Sequence, residues 1–228
     1  MVTVESEQNT DAWRILLFAS SGSELLVLRR PSGFCLPVLH IPPQERIAEN
    51  LNAEAQRVWK VETVCVAPLD IPHPDRISGH PRYHVMEVRS PKELSRIAPK
   101  TMDVAALKEN AFADARDYFA VRRAMKLDAA DSSRGSEGPF FEFESFRKIS
   151  AWVEQQVQPL GRRCDGAFRQ LHASDSFALI RFGTNESAVW FKATGNPNRR
   201  ELAVTQILSD LFPGHMAKLI AVRSDWNA

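Results

Sequence analysis

The chain has 228 residues, of which 44% are hydrophobic and 25% charged, and its formal net charge is +1. That length predicts one large or two small domains with enough apolar material for real cores. The near-neutral balance gives no global reason to bind nucleic acid or an anionic membrane, and no run approaches the roughly 18 apolar residues of a membrane span.

The N-terminal stretch Met1-Val2-Thr3-Val4-Glu5-Ser6-Glu7 is acidic and polar, so it does not read as a signal peptide. Cys35, Cys65 and Cys164 are odd in number and far apart. They fit free thiols in a reducing cytoplasm better than a disulfide frame. Residues 13–19 and 24–30 are apolar runs around Ser20-Ser21-Gly22-Ser23, the pattern of a β-hairpin. Residues 45–59 predict a helix, because Ile47, Leu51, Ala55 and Val58 recur at spacings of three and four. Strands are predicted over 63–67 and 82–88. Between them His73, His80 and His84 fall in a Pro-rich segment. Gly79 and Pro81 argue against a helix there, and no cysteine lies close, so an exposed loop is expected rather than a zinc site. A second helix is predicted over 104–126, with Leu107, Ala111, Ala115, Tyr118 and Phe119 along it.

The composition breaks once, at the Ser- and Gly-rich stretch 128–139. This predicts a first domain over 1–127, a linker over 128–144 and a second unit over 145–228. The second unit opens with a helix over 145–157, with Ser145 as N-cap and Phe146, Ile149, Trp152, Val153 and Val157 as one apolar stripe. Pro159-Leu160-Gly161 ends it, and Arg162-Arg163 reads as a solvated turn. Strands are predicted over 167–171, 177–182 and 187–192, with the loop His172-Ala173-Ser174-Asp175-Ser176 between the first two. Asn196-Pro197 reads as a helix start, with the helix running to about Leu211. A final strand is predicted over 216–223. Trp152 and Trp190 are assigned to the core, because no basic stripe accompanies them.

In the second unit the apolar strand Ala188-Val189-Trp190-Phe191-Lys192 ends on a lysine, and Glu201 follows nine residues later on a helix. A lysine supplies a compact point charge for phosphates, and a carboxylate from a neighbouring helix can hold it in place. This order of elements resembles the N-terminal lobe of the aminoglycoside phosphotransferase family, within the protein-kinase-like superfamily, over residues 168–227. The resemblance implies an antiparallel sheet with one helix, Lys192 on the ATP phosphates, Glu201 as its partner, and Ser174 and Ser176 on the loop that covers the phosphates. It implies ATP and magnesium as cofactors of the full-length enzyme and a small hydroxylated acceptor. That loop has no glycine, and no catalytic-loop His-x-Asp or metal-binding Asp follows. The catalytic lobe is therefore expected beyond residue 228, with no catalytic residue in this chain and no phosphoryl transfer by it alone.

The first unit resembles a Nudix hydrolase domain, a mixed-sheet α/β fold, over residues 13–126. Its signature helix laid on 39–61 places Glu45 and Glu54 at acidic positions, and Ala55 and Val61 at apolar ones. Leu39, Ala53 and Lys60 replace a glycine, the arginine and the last glycine, and Arg57 and Val58 replace the paired glutamates. Those glutamates hold magnesium against a diphosphate. Arg57 would repel the cation and Val58 is assigned to the core. Glu45 and Glu54 then read as solvated helix surface, and the domain as non-catalytic. Three functions follow: the N-terminal part of an ATP-dependent small-molecule phosphotransferase, a binding or regulatory module without chemistry, and a divergent Nudix hydrolase using Glu45 and Glu54. None of the three calls for nucleic acid or a membrane, and only the hydrolase reading calls for a bound metal, magnesium, in this chain.

Overall fold

The structure, a computed structural model, describes residues 10–19, 22–43, 46–71, 82–90, 101–129, 142–174 and 176–228. Strand β1 (Asp11–Phe18) is the centre of the first unit. It runs parallel to β7 (Arg82–Val88) and antiparallel to β2 (Glu24–Leu26) and β5 (Val38–Ile41), which share its other edge. β6 (Thr63–Leu69) pairs antiparallel with β7, and β8 (Thr101–Asp103) with β2, completing a mixed sheet. A separate short hairpin joins β3 (Leu28–Arg30) to β4 (Gly33–Cys35).

Ile15, Leu16, Leu17 and Phe18 are all 0% exposed, because both faces of the sheet are covered. Ile15 and Leu17 pack with Leu51 and Ala55 of α1 (Ile47–Trp59). Leu16 and Phe18 pack with Ala120, Val121 and Ala124 of α2 (Ala115–Ala129). Each of the Ile, Leu, Val and Phe side chains among these contributes about 1.5–3 kcal/mol by leaving water.

A polar cluster pins α2 to the sheet. Arg14 Nη1 donates to Asp114 at 2.7 Å, to Asp117 at 2.5 Å and to the Tyr83 hydroxyl at 3.3 Å. Tyr83 donates to Asp117 at 3.1 Å, and so does the Leu36 amide at 3.2 Å. Burial works against the Arg14 charge, but its bonds to Asp114 and Asp117 prevail and raise its pKa. The Arg116 guanidinium, then Arg14, hold Asp114 well below the usual carboxylate range.

The second unit is an antiparallel meander of β9 (Cys164–Ala173), β10 (Phe177–Thr184) and β11 (Val189–Thr194). α3 (Ser145–Val157) covers one face, laying Phe146, Ile149, Val153 and Val157 against Ile180, Phe182, Val189, Phe191 and Ala193. α4 (Glu201–Leu211) follows β11 and buries none of its residues. The chain is thus a mixed α/β protein, with strands covered by helices in both units.

The two units are packed together. Phe143, at the end of the stretch read as a linker, sits in the first unit's core with its ring 4.9 Å from that of Phe18. A side chain at Gly22 (φ +69°) would meet the Phe143 ring at 2.7 Å, so glycine is required there twice over. Gln170 of β9 completes β6 where a bulge interrupts it: its amide accepts from Cys65 N–H and donates to Cys65 C=O, both at 2.8 Å. Val64 joins the core under α3.

Several sequence expectations change. The helix expected over 104–126 is two 3₁₀ turns, Val104–Ala106 and Glu109–Ala111, followed by α2. Asp103 caps the first turn through Ala105 N–H, and Asp114 starts α2 by accepting from Arg116 N–H at 3.0 Å. Between them Phe112 stays extended, with Ala113 N–H bonded to Phe34 C=O at 2.8 Å. The expected strand 216–223 does not form. The tail instead turns back on itself, with Arg223 and Ala228 exchanging backbone bonds and the Asn227 amide donating to Thr194 C=O at 2.6 Å. Asn196-Pro197 is a cis peptide, and α4 starts only at Glu201. The expected cap Ser145 is the first helical residue; Glu144 precedes it with φ 63° and no side-chain cap. Val58, assigned to the core, is 46% exposed, because α1 turns it away from the sheet. The strands expected over 82–88 and the helix over 145–157 have those bounds.

Candidate functional site

Lys192 and Glu201 do meet. β11 alternates, so Val189, Phe191 and Ala193 enter the core while Trp190 and Lys192 face outward. The loop after β11 returns the chain, with Asn198 N–H bonded to Gly195 C=O at 2.7 Å and Glu201 N–H to Asn198 C=O at 3.0 Å. This sets Glu201 in the first turn of α4, where a carboxylate also suits the helix dipole. Its Oε1 takes a close hydrogen bond from Lys192 Nζ. The side chains are 46% and 36% exposed, so the pair adds only about 0–1 kcal/mol to stability. Lys192 Nζ also lies 5.7 Å above the Phe177 ring on β10. The ammonium is thus steadied from two directions and still open to solvent.

Trp190, expected in the core, is 55% exposed on the same face as Lys192. The reason is register: the strand's buried set is Val189, Phe191 and Ala193, and Trp190 has the opposite parity. A flat apolar ring beside a cation is a feature that the sequence reading missed, although the alternation was visible. Trp152 is partly buried and packs edge-on to Phe191 at 6.1 Å.

The serine loop is engaged with itself. Ser174 N–H and its hydroxyl both donate to Phe177 C=O, at 3.0 and 3.4 Å, and the hydroxyl accepts from Ser176 N–H at 3.3 Å. Ser176 C=O accepts from Gly195 N–H at 2.6 Å, tying the loop to the end of β11. The Ser174 hydroxyl therefore shapes the turn, while Asp175 lies outside the described residues. Arg200 immediately precedes α4.

On α1 the acidic position Glu54 is held by Arg57, whose Nε and Nη2 donate to its two oxygens at 2.7 and 2.6 Å. These bonds lower the pKa of Glu54 and take one lone pair on each of its oxygens. Glu45 lies outside the described residues, as do His73 and His80. His84 is in β7 and 1% exposed, not on an open loop. Among the described residues no three His, Cys, Asp or Glu side chains are grouped to hold a metal ion, and no helix is long and apolar enough to cross a membrane. Burial raises the Cys65 thiol pKa and takes that of Cys164 to about 11, so neither is an activated thiolate. A comparison with protein-family models finds no match for the chain, and none of the curated proteins matches it.

Proposed function

We propose that this chain is the N-terminal part of an ATP-dependent small-molecule phosphotransferase of the aminoglycoside phosphotransferase type, with its second unit as the nucleotide-gripping lobe. The contact of Lys192 with Glu201 carries this reading. It joins the third strand of a meander to the start of the next helix, on the sheet face left open. Lys192 would hold ATP phosphates, Glu201 would keep it aimed and protonated, and Trp190 offers a platform for the base. ATP brings magnesium to such enzymes, but the described residues hold no carboxylate cluster to receive it. Metal and acceptor binding, and the transfer itself, would belong to a catalytic lobe. α4 fits that division, because Val204, Ile207, Leu211 and Phe212 are each about half exposed or more, at 49%, 57%, 65% and 52%. A large apolar helix face of this kind marks a surface meant for another one.

The first unit we read as a Nudix-like sandwich without its metal chemistry. Its mixed sheet between two helices supports the fold, and the Glu54–Arg57 pair supports the loss of hydrolysis. Titration with ATP tests the proposal: binding is expected to be weak and to fall about tenfold in Lys192→Ala, the loss of one charged contact. Magnesium-dependent hydrolysis of a nucleoside diphosphate compound, abolished by Glu54→Gln, would instead restore the hydrolase reading of the first unit.

A further inference from the structure

A pocket of about 540 Å³ opens where the two units meet. Its walls include Arg46 and Ile47 at the start of α1, Pro68 of β6, Arg82 and His84 of β7, and His172 of β9. The volume is that of a small organic ligand. Three features describe what would fill it.

The first is His84, only 1% exposed on the pocket wall. Its Nδ1 lies 3.0 Å from Val85 C=O, which can only accept, so Nδ1 carries a proton. Burial keeps the ring neutral, so Nε2 carries the acceptor lone pair of a ring that lines the pocket. Such an atom can accept from an N–H or O–H donor of a ligand. The second is positive charge at the rim. Among the described residues Arg82 is anchored to Asp11 through Nη1, and its guanidinium lies 5.5 Å from the Trp13 ring. Arg46 approaches Glu49 through Nη1 at 3.6 Å. Among the described residues each guanidinium is engaged through one nitrogen, and the others can donate. The third is α1 itself. Its 13 residues begin at the pocket without a side-chain cap, so the first-turn N–H groups, which have no acceptor inside the helix, and the positive dipole end suit an anion. Ile47 and Pro68 supply apolar wall between the rim and His84.

We propose that this inter-unit pocket binds an organic phosphate monoester whose ring offers an N–H or O–H donor to His84. The phosphate sits at Arg46, Arg82 and the start of α1, and the ring lies on the apolar wall. The site adjoins the nucleotide grip, because Ser174 of the serine loop lines the pocket, while Lys192 does not. His172 on the pocket wall meets Phe177 in a tilted contact at 4.9 Å, and Phe177 in turn lies under Lys192.

The test is calorimetric titration of the intact chain with inorganic phosphate, phenyl phosphate and 4-hydroxyphenyl phosphate. The hydroxylated ester is expected to bind about tenfold tighter than phenyl phosphate, and phenyl phosphate tighter than inorganic phosphate. Arg46→Gln and Arg82→Gln, both on exposed side chains, should each weaken it about tenfold. Lys192→Ala should change it less than about twofold, since it adds no contact here. The ¹⁵N resonance of His84 Nε2 should move on binding, a readout that needs no variant at that buried position. Equal affinity in the Arg46→Gln/Arg82→Gln double variant, loss of binding in Lys192→Ala, an unmoved His84 resonance, or no binding of any ester would each overturn the proposal.

Discussion

The two units spend their apolar residues differently. In the first, the sheet is covered on both faces and β1 is fully buried from Ile15 to Phe18. In the second, α3 covers one face of the meander, while Trp190 and Lys192 stand on the other and α4 carries its apolar side chains in the open. The same three kinds of parts, strands, helices and tight loops, produce a sealed frame in one case and a half-open one in the other. An open face with a steadied cation has somewhere to put a ligand.

The difference can be broken most severely in the sealed unit. Asp117→Ala removes the acceptor shared by Arg14, Tyr83 and the Leu36 amide, leaving the Arg14 charge half-buried and short of a partner. We expect a loss of about 3–5 kcal/mol in urea unfolding. A loss below about 1 kcal/mol would show that the cluster is ornamental.

His84 gives the next largest effect, and its sign is fixed. Burial pushes its pKa down to about 4 from an ordinary 6.5. The unfolded chain therefore takes up this proton first as pH falls. The contribution is fully present above pH 6.5 and is lost on going down towards pH 4, by up to about 3 kcal/mol. Unfolding free energies measured across that window should slope upward with pH, and His84→Gln should flatten the slope.

Gln170→Ala cuts the seam between the units. Cys65 N–H and C=O then lose their partner in a buried place, at a cost of about 2 kcal/mol. Differential scanning calorimetry should show one transition splitting towards two, with the second unit melting first. On α4, by contrast, Ile207→Ser should change stability by less than about 0.5 kcal/mol, because the side chain is 57% exposed. A larger effect in thermal melts would mean that α4 is covered in solution.

What could be read from the residues followed from periodicity. Helix 145–157 and strand 82–88 have the expected bounds because their apolar spacing is clean and tertiary contacts agree with it. The Lys192–Glu201 meeting was legible too, since a strand followed by a short loop and a helix leaves few places for the two side chains. The rest needed long-range pairing. The break in the helix at 104–126 comes from Phe112 staying extended beside Phe34, far away in sequence. The missing strand at 216–223 reflects a tail that prefers to close on itself and on Thr194. Gln170 and Arg14 look like ordinary surface residues until their partners on other elements are known.

The Lys192–Glu201 pair is tested most directly by nuclear magnetic resonance of the Lys192 ammonium and the neighbouring Trp190 indole during titration with ATP. Both resonances should shift together along one binding curve in the wild type, and Lys192→Ala should weaken binding about tenfold while the fold stays intact. Shifts confined to the first unit, or binding indifferent to Lys192→Ala, would show that this ammonium does not face nucleotide.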